Sequence, residues 1–455
     1  RPCVPRDTTS RNSNASRNSG KAMKIAIIGT GIAGNYAAYR LAPEHDITVF
    51  ESNSRIGGHT NTLTIREPGR KLAIDTGFIV FNDATYPNFI ALLDELGVAS
   101  QPSDMGFSVS SAGGGIEYNG SSLNGLFAQR RNLLRPSFYR MLGDILRFNR
   151  NAPDVLDSGE PELTLGEYLQ RNGYSENFVN HYVVPMGSAI WSATARRMRS
   201  MPVKFFVRFF QNHGLLSVND RPQWRVVEGG SARYVEKLVA RHRHRIRLDS
   251  AVREVRRHPG YVEVKAEGCE AERFDHVFFA CHSDEALAML ADPTPVEREV
   301  LGAIAYQRNE AGLHTDTSLM PRRRGAWAAW NYHLPEPQAG ADGGVTLTYN
   351  MNILQSLEAS REYCVTLNST HSIDPEKVLK VIQYSHPVFT ERAVAAQNRH
   401  REVNGLRSYF CGAYWRYGFH EDGVVSAMEA LRHFEQDIQG DRHDGLEERN
   451  LQRAG

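Results

Sequence analysis

The apolar run Lys24–Ile28 passes directly into Gly29-Thr30-Gly31-Ile32-Ala33-Gly34, and residues 32–41 then follow a helical pattern with small residues on one side. A continuous apolar run of this length reads as a strand buried on both faces of a parallel sheet. Gly29 allows a tight turn, Gly31 lets the backbone approach a pyrophosphate, and Gly34 lets helix and strand pack closely, with the helix N-terminus facing the phosphate charge. Residues 47–51 (ITVFE) supply a second strand and complete a βαβ unit. That strand ends in Glu51, a carboxylate placed to accept hydrogen bonds from ribose hydroxyls. Loop, context and acid together point to a dinucleotide site rather than to an idle glycine turn.

The chain has 455 residues, enough for two or three domains or for one two-lobed enzyme. Its net charge of +1 gives no global basic excess that would argue for nucleic acid, and 41% hydrophobic with 23% charged residues describes a globular chain. No apolar run approaches the roughly 18 residues that a membrane-spanning helix needs. The five scattered cysteines contain no CxxC pair, which argues against a disulfide framework or a cysteine zinc site and makes a reducing, cytoplasmic compartment the expectation. HExxH and GxSxG are both missing, and His242-Arg243-His244 sits in a basic run that reads as a solvated helix end, so no metal is expected. Residues 1–22 are basic, rich in Ser and Asn and without apolar period. They read as a disordered tail with Met23 as the functional start, since a transit peptide would show the amphipathic face that is missing here. Residues 441–455 read as a second flexible tail.

The βαβ unit suits NAD or FAD, and the residues after Glu51 separate the two. Ser52-Asn53-Ser54-Arg55-Ile56-Gly57-Gly58-His59 adds a guanidinium and two backbone-exposing glycines, a second set of pyrophosphate contacts that a larger, extended dinucleotide would use. This run resembles the flavin-containing amine oxidase and phytoene desaturase superfamily, which binds FAD. Residues 75–82 (DTGFIVFN) and 86–89 (YPNF) are similar to a branch of amine oxidase-like FAD-binding oxidoreductases associated with fatty-acyl modifying enzymes such as cyclopropane fatty-acid synthases. The resemblance covers most of residues 23–435 and is strongest at its two ends.

The resemblance implies an α/β, two-lobed, FAD-binding Rossmann-like (GxGxxG) fold with an inserted α+β substrate domain. Residues 23–100, 222–305 and 400–440 would form the FAD domain, and 101–221 with 306–399 the substrate domain. The implied cofactor contacts are Gly29, Gly31, Ile32, Ala33, Gly34, Glu51, Ser52, Arg55, Gly57, Gly58 and His59, followed by Thr76, Gly77 and Phe78. Val252 resembles the family's adenine-side residue, and Trp224, Gly229 and Gly230 resemble the segment leading back into the flavin lobe. Residues 409–427 resemble the closing flavin motif, which implies that Gly412, Asp422, Gly423 and Val424 meet the flavin from a turn and the helix expected from about Val424. Ala413 departs from the family's Gly-Glu pattern, and Glu421 is the candidate to supply the missing contact. No His or Cys stands at a defensible attachment position, so the FAD is expected to be non-covalent.

Two further departures bear on chemistry. The lysine that amine oxidases of the superfamily hold near the flavin has no counterpart, since no lysine occurs between Lys265 and Lys377. His314, with Asp316 as partner, is the candidate replacement. His420 stands where many amine oxidases carry a tyrosine of the aromatic cage; proton transfer and ordering of its loop are both open roles. Trp191, in the segment 180–192, and Tyr414 and Trp415 are the substrate-contact candidates, with a core role equally open for Trp191. Residues 129–150 and 196–210 combine many basic residues with Leu or Phe, as peripheral membrane helices do, although a core stripe with a solvated basic face is the alternative. The function expected is desaturation of a fatty-acyl chain or phospholipid. Amine oxidation, double-bond isomerisation and a non-catalytic role beside a lipid-modifying enzyme are the alternatives.

Overall fold

The computed structural model describes residues 22–112, 115–159, 162–217, 221–334 and 346–454. Residues 1–21 of the expected N-terminal tail, and residue 455, lie outside the described residues. The chain forms two compact units. Unit one takes the residues up to Gly58, Val235–Ile304 and those from Ala395 on; unit two takes His59–Tyr234 and Ala305–Val394.

Unit one is built on a five-stranded parallel sheet of β1 (Lys24–Ile28), β2 (Asp46–Phe50), β3 (Ile246–Arg247), β4 (His276–Phe279) and β5 (Ser408–Phe410), in the order β3-β2-β1-β4-β5. β1 is central because it is apolar on both sides: Ile25, Ala26 and Ile27 are fully buried, with Ile25 level with Ile47 on one side and His276 on the other. The chain leaves β1 for β2 on one side and returns later as β4 on the other. Such a switch point opens a crevice at the carboxyl ends of the strands. Helix α1 (Ile32–Leu41) follows β1 as expected, and the hairpin Val252–His258 with Tyr261–Ala266 gains a third strand, Glu272–Phe274. Helix α2 (His420–Ala454) starts four residues before the expected Val424. The Asp422 carboxylate accepts from the N–H groups of Tyr417 and Phe419, and so organises the turn that leads into the helix. The backbone of 441–454 continues this helix, where a loose tail is expected from the sequence.

Unit two contains a seven-stranded mixed sheet in which Ala305–His314 pairs antiparallel with Val378–Val388 on one side and Cys364–Leu367 on the other. The two units divide the chain at other points than the expected FAD-domain bounds, with residues 59–100 and 222–234 in unit two. Trp224–Val227 pairs with Val80–Asn82 and with Ser100–Pro102, joining those segments into one small sheet. Buried Asp75 also accepts hydrogen bonds from Ser231 N and Oγ.

In the Phe-rich stretch within 196–210 the core alternative describes the phenylalanines. Phe205, Phe206, Phe209 and Phe210 of the helix Val203–Asn212 are buried, and Trp191 packs on Phe209 at 4.7 Å between ring centres, so this segment builds core. No helix among the described residues is long and apolar enough to cross a membrane. Among the described residues Cys281, Cys364 and Cys411 are free thiols.

Candidate cofactor site

The turn after β1 is fixed by sterics before any ligand is considered. Gly29 has φ +106°, donates its N–H to Phe50 O at 2.8 Å, and would place a Cβ 2.6 Å from Ala280 O. A Cβ on Gly34 would sit 2.0 Å from Gly29 O, so the helix can approach its own turn only with glycine there. Gly31 differs: a Cβ would meet nothing within 4 Å, and as N-cap of α1 it offers no side chain to the N–H groups of the first turn. Open space in front of uncapped amides at a helix N-terminus is the environment a diphosphate requires.

Glu51 lies buried at the end of β2. One carboxylate oxygen accepts from Thr30 N at 3.0 Å and from the Thr30 hydroxyl; the other accepts from Asn53 N at 2.8 Å and Asn53 Nδ2 at 2.9 Å. The two side-chain donors are the ones that a ribose diol can replace without disturbing the backbone. The second loop is pinned to the first: Gly57 N donates to Thr30 O at 3.1 Å, and a Cβ at Gly58 would lie 2.9 Å from Gly31 Cα. Arg55 Nη2 donates to Gly58 O at 2.6 Å. Ser250 N donates to Glu51 O at 2.8 Å, which sets Val252, two residues on, at the acid's end of the site. The structure thus brings together Gly29–Gly34, Glu51, Ser52, Arg55, Gly57, Gly58 and the start of the Val252 strand.

The closing motif joins the same unit. A Cβ on Gly423 would lie 2.6 Å from Ile32 Cγ2, so the first turn of α2 packs on the first turn of α1. Gly412 N donates to Ser426 Oγ at 2.9 Å, and that hydroxyl donates to Gly423 O at 3.0 Å, tying the turn after β5 to the helix that also carries Val424. Asp422 is buried, burial pushes its carboxyl up to about 7, and its side chain serves the loop through Tyr417 N and Phe419 N. Glu421 and His420 are buried in the same turn, and burial depresses the His420 imidazole to about 3. Tyr414 and Trp415 are interior residues of a short turn. Trp415 stacks on His400 at 4.1 Å, and the Tyr414 ring lies against Gly412.

The remaining expected site residues lie in unit two. His59 stacks on Tyr384 at 5.0 Å between ring centres, Thr76 Oγ1 donates to Asn61 O at 2.8 Å, and a Cβ at Gly77 would lie 2.1 Å from His59 O. Phe78 packs edge-on against Phe89 and Tyr234. His314, the expected replacement for the lysine, has both ring nitrogens engaged within the sheet. Its Nδ1 accepts from Asp316 N at 3.0 Å, which leaves Nε2 to donate to Thr366 Oγ1 at 2.7 Å, and burial lowers the ring to about 4. The Asp316 carboxylate turns instead to Lys377 Nζ at 3.3 Å. Sequence reasoning missed Thr30, which links the phosphate loop, Glu51 and Gly57, and Ser426, which links turn and helix. Thr30 occupies a variable position of GxGxxG, and its only signal is a hydroxyl beside an acid that needs donors.

A protein of Mycobacterium tuberculosis assigned as a flavin-containing monoamine oxidase is 27% identical to this chain over 259 residues, 54% of either, so the chain spans about half the length of that relative. Cyclohexylamine oxidase from Brevibacterium oxydans shares the fold with a TM-score of 0.66 at 14% identity, over 91% of this chain and 99% of that one. A CLA-producing fatty acid isomerase from P. acnes shares it with a TM-score of 0.60 at 14% identity, over 90% and 98%. Residues 32–315, more than half of the chain, match the family described as flavin containing amine oxidoreductase, so this chain belongs to that family, and FAD is the dinucleotide its loops are shaped to hold.

Proposed function

We propose that this chain is an FAD-dependent oxidoreductase that removes hydride from a carbon of a hydrophobic substrate, a fatty-acyl chain either free or within a phospholipid, and leaves a carbon–carbon double bond. The observation that carries the choice of substrate is the loss of the apparatus for amines. No lysine stands between Lys265 and Lys377, and His314, the candidate to replace it, is sealed into the sheet with both ring nitrogens engaged. His420, where a cage tyrosine is expected, is a buried neutral imidazole. The fold is shared with a fatty acid isomerase as well as with an amine oxidase, so it accommodates an acyl substrate.

Desaturation breaks C–H bonds on adjacent carbons; one hydrogen leaves as hydride, the other as a proton, and the electron pair left behind forms the double bond. Bound FAD supplies the two-electron acceptor, with dioxygen or another oxidant restoring it. Gly31 and the first turn of α1, Glu51 and Arg55 would hold the dinucleotide, and Gly423 and Val424 would meet it from α2. His420 is the candidate proton acceptor.

The test is anaerobic mixing of the FAD-loaded protein with phospholipid, with free fatty acid and with primary amines, following the flavin absorbance. Bleaching by acyl compounds alone is the expected result. Bleaching by amines alone overturns it in favour of amine oxidation, and double-bond migration without bleaching overturns it in favour of isomerisation.

A further inference from the structure

We infer that residues 123–150 of unit two form a docking face for an anionic lipid bilayer. This proposal goes beyond the redox reading and stands whether or not the substrate is a lipid. Among the described residues nine large apolar side chains are exposed, and five of them fall on this one segment: Leu123 (79% exposed), Leu133 (46%), Leu134 (87%), Tyr139 (48%) and Leu146 (55%). On the helix Pro136–Asn151 the exposed and buried positions fall on opposite sides. Phe138, Met141 and Phe148 are buried, whereas Tyr139, Gly143, Leu146 and Arg150 recur on the solvent face at helical spacing. Leu133 and Leu134 end the short turn Arg130–Leu134 just before that helix.

The charge on the segment is of one sign. It contains six arginines, and its single acid, Asp144, is buried, pairing with Arg147 at 2.9 Å and accepting from Ser175 N. Within the segment the exposed charged side chains are therefore guanidinium groups, with no exposed carboxylate. Arg130 and Arg131 precede the Leu133-Leu134 tip and Arg135 follows it, while Arg140 and Arg150 border Tyr139 and Leu146. Leucines that enter the acyl boundary while flanking arginines meet phosphate groups are the arrangement of an interfacial anchor. The core of a protein interface has the opposite composition, depleted of charge where it is most apolar. The second basic stretch supplies an internal contrast, since its phenylalanines are buried, so that of the two basic stretches it is 123–150 that leaves large apolar side chains in solvent.

The experiment is co-sedimentation of the FAD-loaded full chain with vesicles of phosphatidylcholine containing about 30% phosphatidylglycerol, and with phosphatidylcholine alone. Binding is expected on the anionic vesicles, about tenfold weaker on the neutral ones, and falling as salt rises from about 0.05 to about 0.5 M. The double variant Leu133→Ser/Leu134→Ser should lower partitioning by about tenfold with unchanged Tm and flavin spectrum. Arg140→Gln/Arg150→Gln should lose only the anionic preference, and Leu379→Ser, at an exposed leucine outside the segment, should change nothing. Failure of the unaltered protein to bind anionic vesicles overturns the inference, as does binding that survives both double variants. A dimer in light scattering that the leucine variant converts to a monomer, with vesicle binding unchanged, overturns it too and makes the face a protein interface.

Discussion

A methyl group added at Gly31 would meet nothing within 4 Å, while one added at Gly34 would lie 2.0 Å from a backbone carbonyl oxygen. Gly31 also has φ −65° and ψ 179°, a conformation open to any residue. Gly31→Ala should therefore fold with a Tm close to that of the unaltered chain and bind FAD at least about tenfold more weakly, because the methyl occupies the diphosphate's space. Gly34→Ala should lose about 1–3 kcal/mol or more of stability, since neither helix nor turn can yield without breaking the β1–α1 junction. Thermal melts without added FAD, beside FAD titrations followed by flavin fluorescence, separate the two effects. Equal destabilisation by both variants would contradict the assignment of open space to Gly31. These glycines were legible because their signal is local. Thr30 was not: its role depends on Glu51 and Gly57, which reach it only after the strands pair.

In the long strand Ala305–His314 a hydrogen-bonded chain runs across neighbouring strands: His314 Nε2 donates to Thr366 Oγ1 at 2.7 Å, and Thr366 meets Thr348 Oγ1 at 2.8 Å. His314→Ala would leave Asp316 N and this hydroxyl pair short of partners inside the sheet, a cost of about 1–3 kcal/mol. The pH profile of flavin reduction by substrate should be unchanged, and a profile that shifts with this variant would return His314 to the chemistry. Elements whose signal lies within one short window were read correctly: β1, α1 and β2 each carry their own pattern. Pairing between distant segments was not readable. Nothing local to Trp224–Val227 says that it joins residues 80–82 and 100–102. The early start of α2 escaped for a related reason, since the Asp422 carboxylate that orders the preceding turn reads from sequence as a cofactor contact.

Across the whole molecule, stability against acid is set by histidines held neutral in the interior. Burial lowers His213, His242, His276, His314 and His433 to about 4, and His400 and His420 to about 3. All seven are buried by exposed area. Between about pH 4 and 6.5 the unfolded chain binds protons at these rings that the folded chain refuses, so stability rises with pH there, by at most about 1.4 kcal/mol per pH unit for each ring. Two buried carboxyls act the other way. Burial raises Asp75 to about 6 and Asp422 to about 7, so the folded chain holds protons that the unfolded chain releases above pH 4, and their contribution is lost as pH rises through those values. Seven rings against two carboxyls leave the histidines in control, and Tm should fall as pH is lowered from about 7.5 to about 5. Asp422→Asn keeps an acceptor for Tyr417 N and Phe419 N but removes one opposing proton, so the same melts should show a steeper fall in that variant. A Tm that rises toward acid would mean that the rings are solvated or paired in the folded chain and that the interior tolerates their charge.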